Sequence, residues 1–150
     1  MISPSHQPLR RRESTAALCL LAMALAGAAQ AASLTVTFTG LKTLTGSVMV
    51  SLAPSAEAWE GKAPAAAQTM IPATAATVTA TFDGLKPGTY AVRAFHDVNG
   101  DGRLNTNPFG MPTEPYAFSN NAHGSMGPAA WGDAMFAVTE GDNRQTIDID

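Results

Sequence analysis

The segment HDVNGDGRLN, residues 96–105, spaces its oxygen-bearing side chains as calcium-binding loops do. The candidate ligands lie at alternate positions of this one loop: Asp97, Asn99, Asp101, Arg103 and Asn105. In such loops the side chains at the first, third and fifth positions converge on the ion, and the seventh position offers its backbone carbonyl. Gly102 stands where the loop must turn sharply. The spacing therefore predicts a calcium site.

The calcium pattern is incomplete, because Pro108 occupies the position at which a bidentate carboxylate should stand. Glu114 is the nearest downstream carboxylate that could replace it, and Asp133 is a second. The same residues also fit turn chemistry without an ion. Asn-Gly and Asp-Gly pairs are strong turn dipeptides, and Asp97 could accept hydrogen bonds from nearby backbone N–H groups. Calcium, turn chemistry alone and a different metal therefore stay open as alternatives.

The expected affinity limits what a calcium ion would do in this loop. Extracellular modules bind calcium with Kd values of about 0.1–1 mM. At ~1 mM calcium, a Kd of ~0.1 mM stabilises the folded state by about 1.4 kcal/mol. Such an ion would stabilise a loop, and we do not expect it to act in catalysis.

His96 and Asp97, together with His123, form the residue set that could act as acid and base or hold a transition metal. This set defines an enzymatic alternative, a small metal-dependent hydrolase. His96, however, shares the alternation of Tyr90 and Val92, which face the interior of the predicted strand. We therefore expect His96 to be a buried anchor for the loop that follows it.

The stretch EPYAFSNNA, residues 114–122, combines aromatic and amide side chains. Tyr116 and Phe118 alternate with smaller residues, and Asn120 and Asn121 offer both donors and acceptors. These four residues predict a surface that binds a carbohydrate or a protein. The alternative is structural, with the aromatic rings holding the loop against the sheets and the amides bonding backbone groups.

Alternating apolar and polar residues dominate the rest of the chain and predict β-strands with one buried face. They are clearest in SLTVTFTG, GSVMVSL, TVTATF and TYAVRAFH. We expect an all-β domain, a single antiparallel β-sandwich of immunoglobulin or transthyretin type with about six or seven strands. The Asp-Gly and Pro-Gly pairs in FDGLKPGTY predict that residues 77–82 and 89–96 form a hairpin.

Shorter elements and one long connection complete the expected fold. PSAEAWEG predicts a short helix that is capped by Ser55 and ended by Gly61, and residues 68–71 predict an edge strand. Residues 97–133 show little strand pattern, but they contain enough aromatic residues and methionines to pack on themselves. Connections of this length are usually functional or disordered, and we expect an ordered loop.

The N-terminus has the order of a secretory signal peptide. Three arginines at 10–12 precede an apolar run, and Ala29-Gln30-Ala31 supplies small residues at a cleavage site. We expect a signal peptide at 1–31, a β-sandwich domain at 32–150 and an exported protein that is periplasmic or secreted. The only cysteine, Cys19, would leave with the signal peptide.

The charge balance argues against two anionic partners, nucleic acid and an anionic membrane surface. The chain has 9 Lys and Arg against 12 Asp and Glu, a net charge of −3, and removal of the signal peptide would take away three arginines. An acidic domain of this kind does not favour nucleic acid or an anionic membrane surface. We expect a monomer with no membrane insertion after cleavage.

The segment AFHDVNGDGRLNTNPFGMPTEPYAFSNNA, followed by WGDAMFAV, resembles the core of an exported bacterial family known only as domain of unknown function 2141. The resemblance extends over about residues 33–150. It departs from the family's usual pattern at Pro115, where a glycine commonly follows the glutamate. The resemblance implies an exported β-sandwich and no established activity.

The functional expectation is therefore a non-enzymatic, exported β-sandwich that acts as a binding or accessory module with a calcium-stabilised loop. Its partner would be a protein or a carbohydrate. The two alternatives are the hydrolase that uses His96, Asp97 and His123, and a structural protein of the cell envelope.

Overall fold

The computed structural model describes residues 31–149 and shows a chain built mainly of β-strands in two sheets. The strands are β1 (Ala32–Thr39), β2 (Ser47–Ala53), β3 (Ala67–Pro72), β4 (Val78–Leu85), β5 (Gly88–Asp97), β6 (Tyr116–Phe118), β7 (Phe136–Val138) and β8 (Gly141–Asp148). The helical elements of these residues are short: α1 (Ala56–Trp59), α2 (Trp131–Ala134) and a 3₁₀ helix (Ser119–Asn121). The all-β prediction is confirmed. The predicted signal peptide lies outside the described residues, apart from its last position.

The two sheets share one apolar core. One sheet has three strands in the order β4-β1-β8, and the other has five, with the order β3-β2-β5-β6 and β7 paired to β5. Alternate residues of β1, β2, β4 and β5 join a single buried cluster, which includes Phe38, Leu52, Val92 and, from β8, Ile147. Burial of each large apolar side chain stabilises the fold by about 1.5–3 kcal/mol. The predicted alternation therefore places the correct residues in the interior.

One pair of strands corrects the prediction of a purely antiparallel architecture. β1 and β8 run parallel, from Ala32 opposite Gly141 to Thr39 opposite Asp148. Parallel neighbours need a long crossover, and here nearly the whole described chain separates the two strands. Alternation of apolar residues reports which face is buried but not which way a neighbouring strand runs, so the sequence pattern did not reveal this pair.

The predicted hairpin between residues 77–82 and 89–96 is wrong. β4 pairs with β1 in the three-stranded sheet, whereas β5 pairs with β2 in the five-stranded sheet. The Asp83-Gly84 dipeptide forms no hairpin turn. It lies in a β-bulge of β4, where the register against β1 shifts and Gly84 has a φ of +71°. The chain crosses from one sheet to the other at Pro87, directly after this bulge.

The segment 97–133 is ordered, as predicted, but it is not only a loop. Its residues Tyr116–Phe118 form β6, a strand that pairs with β5 and makes the count eight strands instead of six or seven. The strand has only three residues between a proline and a serine, and the alternation of Tyr116 and Phe118 is too short to predict it. Thr106 and Pro112 form an isolated bridge farther out in the segment.

Two smaller predictions are confirmed. α1 follows Ser55, whose hydroxyl accepts a hydrogen bond from the N–H of Ala58 at 3.3 Å. β3 is an edge strand that pairs only with β2 among the described strands. Trp59 at the end of α1 belongs to a second buried cluster, together with Ala91 and Phe118 of the five-stranded sheet.

Across residues 31–149, no helix has both the length and the apolar character that crossing a membrane requires.

Gly46, which precedes β2, provides a test of this arrangement. Its φ is +69°, and a Cβ at this position would lie 1.9 Å from the carbonyl oxygen of Asp97. We predict that Gly46→Ala lowers the free energy of unfolding by about 3 kcal/mol, because a strained φ is combined with a clash against strand backbone. Urea unfolding monitored by circular dichroism measures this loss.

Gly61→Ala is the matched control. Gly61 also has a positive φ, +75°, but no atom lies within 4 Å of the place that an alanine methyl group would occupy. Only the backbone cost of about 1–2 kcal/mol therefore applies to this variant. Equal losses in the two variants would contradict the close approach of Gly46 to Asp97.

Candidate functional site

Asp97 organises the loop that the sequence singled out. Its carboxylate is buried, with Oδ1 accepting the N–H groups of Gly100 at 2.8 Å and Asp101 at 3.1 Å. Oδ2 accepts the N–H of Gly102 at 2.8 Å. Gly100 and Gly102 both have a φ of +76°, a conformation that glycine adopts without strain and that lets these N–H groups converge. The three bonds form an Asx-type turn around the charge.

Glu114 holds the loop from its other side. Its Oε1 accepts the N–H of Val98 and its Oε2 accepts the N–H of Asn105, both at 2.9 Å. The two carboxylates thus accept five backbone N–H groups, from the beginning to the end of the loop. Hydrogen bonds to a charged group make a net contribution to stability of about 1.5–3 kcal/mol each. We call Asp97 and Glu114 the carboxylate clamp.

The remaining candidate ligands form an exposed cluster on this loop. Asp101 Oδ2 accepts the side-chain amides of Asn105 at 3.0 Å and Asn99 at 3.2 Å, and its Oδ1 accepts the N–H of Arg103 at 2.9 Å. The hydrogen bond from Asn105 is the largest cause that holds the pKa of Asp101 below its ordinary value, and the Arg103 N–H and Asn99 act in the same direction.

The predicted calcium ligands therefore lie together, but backbone donors already engage the two buried carboxylates. Residues 31–149 contain no group of three or more His, Cys, Asp or Glu side chains that could hold a metal ion. The oxygen donors suit a hard cation in kind. Their hydrogen bonds, however, show that turn chemistry satisfies Asp97 and Glu114 without one. Calcium binding stays a prediction.

His96 lies near the end of β5, directly before the loop. Its ring is buried, and Nε2 is 2.7 Å from the carbonyl oxygen of Thr45. Its backbone N–H donates to the carbonyl of Pro115 at 2.8 Å, next to Glu114 of the clamp. His123 lines a different cleft of about 420 Å³, beside Tyr116 and Asp148. Within residues 31–149, the structure does not combine His96, Asp97 and His123 into a metal-holding group.

The four residues predicted as a binding surface separate into two pairs. Asn120 donates to the carbonyls of Asp133 at 3.1 Å and Met135 at 2.9 Å. Asn121 accepts the N–H of Asp148 at 2.9 Å. Both have a positive φ, and both amides are engaged with backbone, which favours the structural alternative for this pair.

The aromatic pair lies on the solvent side of the five-stranded sheet. Phe118 is buried against Trp59, with ring centroids 5.5 Å apart in an edge-on arrangement. Tyr116 is exposed to 39%. We define the outer face of this sheet as the face opposite the shared core, and Tyr116 and Phe118 both belong to it.

The outer face carries a row of large side chains that the sequence pattern alone did not single out. The strand registers place Met70, Met49, Phe95 and Tyr116 side by side across β3, β2, β5 and β6. We call these four residues the apolar row. The signal was available in the sequence: Val48, Val50, Val92 and Ala94 face the core, so the residues between them must point to the other side.

A groove of about 590 Å³ lies along three of the four residues of the apolar row. Its floor includes Met49, Phe95 and Tyr116, and Leu104 belongs to the loop that the carboxylate clamp holds. Pro128 contributes from the segment beside Trp59, whose Nε1 donates to the carbonyl of Ala129 at 2.9 Å. The clamp therefore fixes one border of the groove.

Removing one charge distinguishes the carboxylate clamp from a calcium site. We predict that Asp97→Asn lowers the free energy of unfolding by about 2 kcal/mol, because an amide replaces an acceptor oxygen opposite backbone donors. The loss should be the same in EDTA and in calcium chloride at about 1 mM, roughly tenfold above the lower Kd expected for an extracellular module, measured by urea unfolding. Asp83→Asn, an exposed acid in β4, is the control and should change stability by less than about 0.5 kcal/mol.

A calcium ion that Asp97 itself binds predicts a different outcome. Wild-type protein would gain stability from calcium, and the loss from Asp97→Asn would be larger in calcium than in EDTA. A loss in EDTA no greater than that of Asp83→Asn would contradict the clamp.

Comparisons with known proteins agree with the resemblance that the motif carries. Residues 36–146 match the model of a family described as "Uncharacterized protein conserved in bacteria (DUF2141)". No curated protein and no solved structure matched the chain. Because the match covers more than half of the sequence, the chain belongs to this uncharacterised bacterial family.

Proposed function

We propose that this protein is an exported, non-enzymatic binding module that binds its ligand in the groove on the outer face of the five-stranded sheet. The observation that carries the proposal is the apolar row. A sheet with one face in water normally presents polar residues on that face. Here Met70 is exposed to 62% and Tyr116 to 39%, with Met49 and Phe95 between them. Contiguous exposed apolar surface of this kind marks interaction sites.

The size and lining of the groove support a ligand that presents an apolar group. Ligand pockets commonly have volumes of about 300–1,000 Å³, with mainly apolar walls and a few polar groups that orient the ligand. The groove of about 590 Å³ combines Met49, Phe95 and Tyr116 of the apolar row with the polar residues Ser51, Gln68 and Arg93. Tyr116 and Phe118 meet edge-on at 63°, so they do not form one flat platform of the kind on which a sugar ring stacks.

The proposal keeps the earlier expectation of a binding or accessory module and changes the position of its surface. Tyr116 and Phe118 remain part of it, whereas Met49 and Phe95 replace Asn120 and Asn121. An immunoglobulin-like or transthyretin-like sandwich and a periplasmic or secreted location belong to the same proposal. They rest on the two sheets with a shared core and on the N-terminal sequence pattern.

Calcium binding is a secondary part of the proposal. What supports it is the cluster of Asn99, Asp101 and Asn105, whose side chains are linked by hydrogen bonds of 3.0–3.2 Å on the exposed side of the loop. An ion bound there would stiffen a border of the groove. The hydrolase alternative has no comparable support, since no histidine of residues 31–149 lines the groove.

The binding proposal predicts a measurable interaction with a neutral apolar fluorophore, N-phenyl-1-naphthylamine. We expect saturable binding to the wild-type protein that becomes about tenfold weaker in Phe95→Ala, because the variant loses aromatic surface at the centre of the groove floor. Fluorescence titration gives both Kd values, and circular dichroism shows whether the variant is folded.

Phe109→Ala is the control, since Phe109 is exposed to 90% but does not line the groove. Its Kd should equal that of the wild type. Absence of saturable binding, or equal weakening in both variants, would overturn the proposal and favour the structural envelope alternative.

A further inference from the structure

Arg93 places a positive charge in the otherwise largely apolar groove. It belongs to β5, where it is paired with Ser51 of β2 on one side and Phe118 of β6 on the other. It is half-buried and lines the groove. Its neighbour in the same outward alternation is Phe95, so the cation lies directly beside the apolar row.

The guanidinium group of Arg93 is held in place by uncharged partners. One terminal nitrogen, Nη2, donates to the carbonyl of Ala58 at 3.0 Å. The guanidinium carbon lies 5.5 Å from the centroid of a Trp59 ring, a cation–π contact that uses a face of the planar group. Arginine carries five N–H donors, and the hydrogen bond to Ala58 uses one of them.

No acidic side chain neutralises Arg93 within the described chain. The lining of the groove contains no Asp or Glu from residues 31–149, and Arg93 is the only charged residue that these contribute to it. The single ion pair within the same residues joins Lys62 to Glu60. A partly buried guanidinium beside apolar surface suits an anionic ligand, which can accept its remaining N–H donors. In a protein with 12 acidic residues and 9 basic ones, the absence of an acid here is a specific feature of the groove.

We infer that the ligand of this groove is a single-chain amphiphile with a carboxylate, and that Arg93 binds the carboxylate while the apolar row binds the chain. This inference rests on the proposed function, because it uses the same groove. The planar guanidinium suits a carboxylate, to which it donates in parallel. From Phe95, beside Arg93, the row extends across β2 to Met70 of β3, about 10 Å for neighbouring strands about 4.8 Å apart, which accommodates most of an extended alkyl chain of medium length.

Decanoate, decanol and acetate separate the contributions of chain and charge. Isothermal titration calorimetry of the full protein should show decanoate binding at least tenfold more tightly than decanol, and acetate should give no detectable binding. Arg93→Gln should weaken decanoate binding at least tenfold and leave decanol binding unchanged. Arg144→Gln changes the net charge equally at an exposed position of β8, and it should leave all three results unchanged.

Two further measurements keep the inference testable if Arg93→Gln disturbs the packing of Trp59. Arg93→Lys retains the charge and should recover part of the preference for decanoate over decanol. In the wild-type protein, added salt should weaken decanoate binding and leave decanol binding unaffected, because only the first includes a charge pair that ions screen.

The outcomes distinguish the inference from the proposed function. Equal affinity for decanoate and decanol, without an effect of Arg93→Gln or of salt, would overturn the inference and leave the apolar groove in place. Binding of the neutral fluorophore without binding of either ten-carbon ligand would also overturn the inference alone. Failure of the fluorophore and of both ten-carbon ligands to bind would overturn the proposed function together with it.

Discussion

The two-residue period of a β-strand is the constraint on which the rest of this structure depends. Burial of Val92 and Ala94 against the three-stranded sheet forces Arg93 and Phe95 to the opposite face. The same rule acts on β2, where Met49 lies between two buried valines. A chain that fills its core in this way must place these large residues on the outer face. Packing of the core therefore does not account for their type. The groove on that face combines apolar side chains with Arg93, which supports the proposed binding of an amphiphile.

The carboxylate clamp connects this face to the loop that looked like a calcium site. Asp97 and Glu114 accept five backbone N–H groups, and the loop they hold places Leu104 at the groove. His96 supports the same arrangement from the core side through its contacts with Thr45 and Pro115. The polar residues of the family motif thus shape the groove border, and they need not contact a ligand to matter for binding.

The sequence predicted the buried faces well, because alternation is local and each strand reports it separately. It did not predict the parallel partner of β1 or the separate sheets of β4 and β5, since strand partners depend on contacts distant in sequence. Asp83-Gly84 illustrates the difficulty, because a turn dipeptide can equally form a bulge. The spacing of Asp97, Asn99 and Asp101 likewise fits an ion or backbone donors, and only the hydrogen bonds show which groups the carboxylates meet. Arg93 was visible in the sequence, but the lack of an acidic partner for it among residues 31–149 was not.

Nuclear magnetic resonance titration of isotopically labelled protein with decanoate tests the central claim most directly, because it maps the bound surface residue by residue. We predict that the largest chemical-shift changes occur at Met49, Arg93, Phe95 and Tyr116 on the outer face, with little change along β1 and β8. Changes centred instead on the cleft around His123, or the absence of any saturable change, would contradict binding at the outer face.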